Sequence, residues 1–288
     1  MNLYPRYTDL PEDYIKESIQ RFLKEDAPSG DFTSAGTIDP QSVSRAVIEA
    51  QEDLIFVGEK IIKHFFEEDD FNVQVAYRDG QEVKKDEVIA EIEGPSAELL
   101  TRERVLLNLL QRLCGIATQT KEYSKITEKY GVKVLDTRKT TPGLRLFEKY
   151  AVACGGGWNH RLDLSSGILI KDNHIKAAGS VFHAVVKIKE KDYDLPVELE
   201  VEDFEEIKAG MEVEVDGFLL DNMSPDDIRR AINLINKYSA GRDIFIEASG
   251  GITIENLEEY AKTGVHAISV GALTHSVKSA EIHMEFID

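Results

Sequence analysis

Six short apolar runs, each ending in or just before a polar or glycine-bearing turn, constrain this 288-residue chain more than any other feature. They occupy residues 132–135, 167–170, 197–201, 217–220, 244–248 and 267–270, spaced about 20–36 residues apart. Amphipathic segments lie between most of them. Ser224 and Pro225, for example, open a helix that reads through to Tyr238, with serine as N-cap and proline in the first turn. Strand–helix alternation at this spacing predicts a parallel sheet with right-handed crossovers. The strand ends read Asp136-Thr137-Arg138-Lys139, Lys171-Asp172-Asn173-His174, Glu200, Asp221-Asn222, Ser249-Gly250-Gly251 and Gly271. Functional groups gathered at the carboxyl ends of parallel strands are what a β/α barrel provides. Six runs fall short of eight, so the expected barrel is incomplete.

The first third has a different rhythm. Ile15, Ile19, Phe22 and Leu23 fall on one helical face after Pro11, whereas Val73, Val75 and Tyr77, and later Val88, Ala90 and Ile92, alternate as strands do. Residues 96–113 read as a leucine-rich helix, apolar around most of its circumference and therefore buried. Arg104 shares a face with Leu100, Leu107 and Gln111. A buried guanidinium there must meet an anion or reach an interface.

A hydrophobic fraction of 42% supports a buried core, and the net charge of −19 argues against a nucleic-acid surface. No stretch reaches the roughly 18 uncharged apolar residues of a membrane helix. Residues 1–10 carry Arg6 and Asp9 among prolines and tyrosines, unlike a signal peptide. Cys114 and Cys154 are too few for a disulfide framework and read as reduced thiols of a cytoplasmic protein. Against this acidic background, residues 133–176 hold eight Lys/Arg and four Asp/Glu, a local charge of +4. Arg138, Lys139, His160, Arg161 and Lys171 converge on the strand ends, as a receptor for more than one carboxylate or phosphate requires. Glu200 and Asp221 end adjacent strands, where they suit Mg²⁺ or sugar hydroxyls. The turns at Ser249-Gly250-Gly251 and at Gly271 suit a phosphate, because glycine lets backbone N–H groups approach its oxygens. Lys171 alone would also serve as the Schiff-base lysine of an aldolase. Walker, His-Glu-x-x-His and Cys-x-x-Cys patterns are missing from the sequence.

The blocks 136–143, 148–152, 155–161 and 170–174, with Gly30-Asp31-Phe32-Thr33-Ser34, Glu103-Arg104, Glu198-Leu199-Glu200, Leu220-Asp221-Asn222-Met223, Ala248-Ser249-Gly250-Gly251 and Leu273-Thr274-His275-Ser276, resemble the quinolinate phosphoribosyltransferase family over nearly the whole chain. The resemblance implies an α/β fold: an N-terminal α/β sandwich over 1–113, joined by a C-terminal helix over 274–288, and an open, about seven-stranded β/α barrel over 114–273. It implies transfer of phosphoribose from phosphoribosyl pyrophosphate to quinolinate with decarboxylation, Mg²⁺ as cofactor, and a homodimer whose sites are completed across the interface. Carried over, Thr137, Arg138, His160, Arg161 and Lys171, with Arg104 from a partner subunit, would hold quinolinate. Lys139 would meet pyrophosphate, and Glu200 and Asp221 the ribose or Mg²⁺. The backbone of Ser249, Gly250, Gly251, Val270, Gly271 and Ala272 would hold the terminal phosphate. Phe32 replaces the usual leucine, and Trp158 is bulky for its loop; neither is one of these residues.

Overall fold

The computed structural model describes residues 3–287. In chain order the first elements are α1 (Glu12–Asp26), α2 (Phe32–Thr37), β1 (Val43–Ala50), β2 (Leu54–Ile55), α3 (Glu59–Phe65), β3 (Asn72–Val75), β4 (Glu82–Val83), β5 (Val88–Pro95) and α4 (Ser96–Thr127). Next come β6 (Lys133–Leu135), α5 (Arg145–Cys154), β7 (Ile168–Ile170), α6 (Asp172–Ala178), α7 (Val181–Lys189), β8 (Val197–Val201), α8 (Phe204–Glu212) and β9 (Gly217–Asp221). The last are α9 (Pro225–Tyr238), β10 (Phe245–Ser249), α10 (Leu257–Ala261), β11 (Ala267–Ser269), α11 (Ala272–His275) and β12 (Ile282–Phe286). Among the described residues no helix is long and apolar enough to cross a membrane.

The chain divides into two compact units. One comprises residues 8–121, 146–156 and 277–288, and is built on an antiparallel sheet in the order β12-β1-β5-β3. Ile48 of β1 lies opposite Ala90 on one side and Met284 on the other. Its side chain is fully buried, with Ile92, Ile61, Ile62 and Phe65 in the same core. This α/β sandwich departs from the sequence reading in two places. Helix α4 does not stop at residue 113 but runs to Thr127. No proline or turn cluster interrupts it, and Gly115 permits close packing. A Cβ on Gly115 would lie 2.2 Å from the Lys278 carbonyl oxygen. The expected C-terminal helix over 274–288 is also absent among the described residues. Beyond the short α11 the chain forms strand β12 instead. Ile282, Met284 and Phe286 repeat every second residue, and β12 satisfies the backbone edge of β1 that would otherwise be bare.

The other unit comprises residues 1–7, 122–145 and 157–276. Its parallel sheet runs β6-β11-β10-β9-β8-β7 and corresponds to the six apolar runs. The seventh strand implied by the family resemblance is reduced to one residue. Trp158 bridges Leu135 in parallel, donating its N–H to Val134 and accepting from Asp136. Such a sheet is an open α/β barrel. Ser224 caps α9 by accepting from the Asp227 N–H, as the Ser-Pro start predicts.

A Gly115→Ala substitution is expected to force the 278–280 segment away from α4 and to cost roughly 1–3 kcal/mol of stability. Urea unfolding of the two proteins measures it; equal midpoints would contradict the close approach.

Candidate active site

Pleating sets which groups meet. Along a strand, residues two apart share a face, so each inward strand position stacks above another. On β8, Glu198 lies one pleat below Glu200; on β9, Leu219 lies below Asp221; on β10, Glu247 lies below Ser249. The parallel register places Ser249 beside Asp221 and Leu219 beside both Glu200 and Glu247. At the carboxyl ends these side chains open into a cavity of about 370 Å³. Thr137, Arg138, Lys139, His160, Arg161, Lys171, Glu200, Asp221 and Ser249 line it, together with Leu169, Leu219 and Ser269, which sequence reasoning did not single out.

Four cations therefore face two carboxylates in one cavity. Lys171 pairs with Glu200 through Nζ and Oε2. The two guanidiniums are less fully engaged. Arg161 donates from Nη1 to the Gly167 carbonyl at 3.0 Å, but its buried Nε meets no acceptor among the described residues, and neither does the buried Nε of Arg138. Burial, and then repulsion from Arg138, hold the Arg161 guanidinium below its usual pKa. Two crowded arginines with orphaned donors suit an anionic ligand.

The loop bearing His160 and Arg161 is fixed from below by Asp136, a fully buried carboxylate at the end of β6. Asp136 accepts from Asn159 Nδ2 at 2.6 Å and from the His160 N–H at 2.9 Å. The Arg161 N–H donates to His160 Nδ1 at 2.8 Å, which places the imidazole proton on Nε2. That Nε2 faces Glu198 Oε2 at 3.4 Å and Glu247 Oε1 at 3.9 Å. Of these residues, Asp136 and Asn159 were visible only as parts of longer motifs, and Glu247 gave no signal of its own.

The glycine turns behave as their composition predicts in part. Gly250 and Gly251 have φ of +93° and +60°, and a Cβ on Gly250 would lie 2.3 Å from Asn222 Oδ1. A Cβ on Gly271 would lie 3.2 Å from the Lys139 side chain, so glycine here gives Lys139 room. Thr274 holds the Lys139 carbonyl at 2.8 Å. Val270 departs from its expected phosphate-binding role. Its N–H already donates to the Leu135 carbonyl at 2.9 Å within the sheet continuation, and so is not available to an anion. Gly250, Gly251, Gly271 and Ala272 are not among the cavity-lining residues.

Arg104 lies outside this cavity. It lies in the other unit, on the solvent side of α4, with its side chain 60% exposed and Glu103 at 3.7 Å. Leu100, on the same face, is partly exposed, while Leu107 is buried. The leucine stripe faces the core and Arg104 lies at its margin, so no buried charge needs compensating. Phe32 is exposed at the start of α2, and Trp158 packs in the bridge to Leu135.

Two oxygen-rich groupings fit a metal ion. Glu200 and Asp221 offer hard carboxylate donors at the cavity wall, where Asp221 Oδ2 accepts from Asn222 Nδ2 at 2.6 Å. His160, Glu198 and Glu247 form a buried cluster with ligand atoms within 4.8 Å of one another. A cation there would compete with the Tyr4 hydroxyl, which donates to Glu198 Oε2 at 2.7 Å.

Comparison with known proteins agrees with this geometry. Residues 31–114 match the model of the quinolinate phosphoribosyl transferase N-terminal domain, and residues 116–285 that of the C-terminal domain. A "Probable nicotinate-nucleotide pyrophosphorylase (carboxylating)" of Bacillus subtilis strain 168 is 44% identical over 274 residues, covering 94% of this chain and 93% of its own. A protein of the same printed name from Methanocaldococcus jannaschii is 38% identical, covering 96% of this chain and 98% of its own. Among solved structures, the nicotinate-nucleotide pyrophosphorylase from Francisella tularensis superposes with a TM-score of 0.91 at 35% identity. That match covers 98% of this chain and 99% of its own.

Burial, and then the Glu198 charge, push the Glu247 carboxyl up to about 8. A carboxyl whose pKa is raised by folding favours the fold most below its unfolded value. That advantage is lost as pH climbs through the folded value. Glu247→Gln is therefore expected to gain stability relative to the parent between pH 5 and pH 8, on the order of a few kcal/mol. Urea midpoints at both pH values test this; a pH-independent difference would contradict a protonated Glu247.

Proposed function

The chain belongs to the quinolinate phosphoribosyltransferase family, and from that premise we propose how its own side chains carry the reaction. The enzyme transfers phosphoribose from phosphoribosyl pyrophosphate to the pyridine nitrogen of quinolinate. Pyrophosphate and carbon dioxide leave, and nicotinate mononucleotide remains for NAD biosynthesis. The single observation that carries the assignment of roles is that Arg138, Arg161 and Lys171 line one cavity, which brings three cations to bear on one small anionic ligand. Two ring carboxylates on adjacent carbons supply the acceptors these cations lack. Thr137 and His160 complete the receptor.

Phosphoribosyl pyrophosphate fits the opposite side. Glu200 and Asp221 accept from the ribose hydroxyls, and Lys139 meets the pyrophosphate. The Ser249–Gly251 turn and the backbone at Gly271 and Ala272 receive the terminal phosphate, with Gly271 and Ala272 serving in place of Val270. The carboxylates of Glu200 and Asp221 fit Mg²⁺ as outer or direct ligands, and the ion would supply positive charge to the departing pyrophosphate. Glycosyl transfer of this kind passes through an oxocarbenium-like state. Glu200 stabilises its positive charge, while Lys139 offsets the charge of the leaving group. The reaction requires no covalent nucleophile. Once quaternised, the ring nitrogen withdraws electrons from the neighbouring carbon; its bond to the carboxylate breaks, carbon dioxide leaves, and the electron pair left on that carbon takes a proton from water. The receptor therefore binds two carboxylates and releases one.

The exposed guanidinium of Arg104 suits a contact beyond its own chain. We assign it to the quinolinate site of a second subunit in a homodimer. Two cysteines, of which Cys114 is buried, are too few for a disulfide framework and fit a reducing compartment such as the cytoplasm.

Incubation with quinolinate, phosphoribosyl pyrophosphate and Mg²⁺ is expected to release carbon dioxide in step with nicotinate mononucleotide. Its absence would defeat the assignment. Arg138→Ala is expected to raise the KM for quinolinate about 100-fold or more, because it removes a charge-assisted, bidentate donor. Near-normal quinolinate kinetics in this variant would remove Arg138 from the receptor. Mixing Arg104→Ala with Lys171→Ala protein is expected to restore part of the activity through hybrid dimers, whereas two variants within one site would stay inactive.

A further inference from the structure

Residues 3–7 belong to the same compact unit as the barrel, and they touch the loop that carries His160 and Arg161 at several points. Leu3 packs with Trp158 against Leu135, Phe245 and Ala267. The Tyr4 ring stacks on the His160 ring, with centroids 4.5 Å apart and planes 25° apart. Its hydroxyl donates to Glu198 Oε2, the same oxygen that His160 Nε2 faces. The Arg6 guanidinium lies 5.3 Å over Trp158, and the Tyr7 N–H donates to Asn159 Oδ1 at 2.8 Å. Gly167 is where the two sides meet. A Cβ there would lie 2.4 Å from the Tyr4 ring and 3.4 Å from Arg161 Cβ, while the Gly167 carbonyl accepts from Arg161 Nη1.

We propose that residues 3–7 form a positioning strap for the His160–Arg161 half of the quinolinate receptor, with Tyr4 as its key residue. Tyr4 is nearly fully buried and does not line the cavity, so it acts through His160 rather than on substrate. Its stack fixes the plane of the imidazole, and its hydroxyl fixes the carboxylate that receives the imidazole proton. The arrangement is directional. The Tyr4 hydroxyl is the donor and the Glu198 carboxylate oxygen the acceptor. Because His160 Nδ1 accepts from the Arg161 N–H, a turned imidazole would also shift the backbone from which the Arg161 guanidinium projects. The contacts of Tyr4 named above all fall on the His160 side, whereas Lys139, Asp221 and Ser249 form the phosphoribosyl side of the cavity.

The inference rests on the reading of His160 and Arg161 as quinolinate ligands, and its test separates the two. Tyr4→Ala and Tyr4→Phe enzymes are assayed for kcat and for the KM of each substrate, alongside Arg138→Ala and with thermal unfolding of every variant. Tyr4→Ala is expected to raise the quinolinate KM about tenfold, with the phosphoribosyl pyrophosphate KM within about twofold of the parent. Tyr4→Phe, which keeps the stack and loses the donor, is expected to show about a threefold rise in the same parameter. Tyr4→Phe also decides the matter if the alanine variant does not fold. A lowered melting temperature with both KM values unchanged, or with both raised equally, would overturn the strap. If Arg138→Ala raises the quinolinate KM and the Tyr4 variants do not, the strap fails and the receptor stands. If none of the three raises it, the receptor reading fails and takes the strap with it.

Discussion

The structure of the site depends on holding two arginines and two lysines around one small cavity before any anion arrives. Like charges at such separations repel, and buried guanidinium donors without acceptors lose hydration they do not recover. Arg138 and Arg161 show both effects, in their orphaned Nε atoms and in the lowered pKa of Arg161. A chain tolerates this only where the rest of the scaffold leaves these side chains no better place. Here the scaffold does so with acidic side chains: Glu200 at the cavity wall, and Asp136, Glu198 and the protonated Glu247 beneath it. The fully buried acids below do not neutralise the cations directly. They fix the backbone and the imidazole from which the cations project.

That layering follows from strand geometry. With side chains repeating every two residues, Glu198 and Glu200 share a face, as do Glu247 and Ser249. The lower member of each pair is sealed in the barrel, and the upper one meets the cavity. A one-residue slip in any strand would turn both members outward together. The same rule explains why Leu169 and Leu219 line a cavity otherwise made of charged and polar groups. They are the apolar layer against which a flat pyridine ring can rest.

Much of this was legible in the chain itself. The six parallel strands appeared as apolar runs because strands buried on both faces carry little polar alternation. Helix α9 was readable because Ser224 and Pro225 mark its start with local chemistry. Local signals failed where an element's end depends on distant packing. Nothing near residue 113 shows that α4 continues, and the alternation of Ile282, Met284 and Phe286 is too short to outweigh a helical expectation until β1 supplies an edge. The exposure of Arg104 was not legible for a related reason. Helical spacing shows which residues share a face, but not how far around the helix the core extends.

The sequence alone determined the fold class, the family, the identity of the converging cations and the glycine turns, because periodicity and short motifs encode these locally. Tertiary structure decided the rest. It showed that Val270 gives its N–H to the sheet, that Arg104 faces solvent, and that a tyrosine more than 150 residues away in sequence lies against His160. Each of these depends on which backbone donors are already used and which surfaces are already covered. Such facts exist only once the strands have closed around one another.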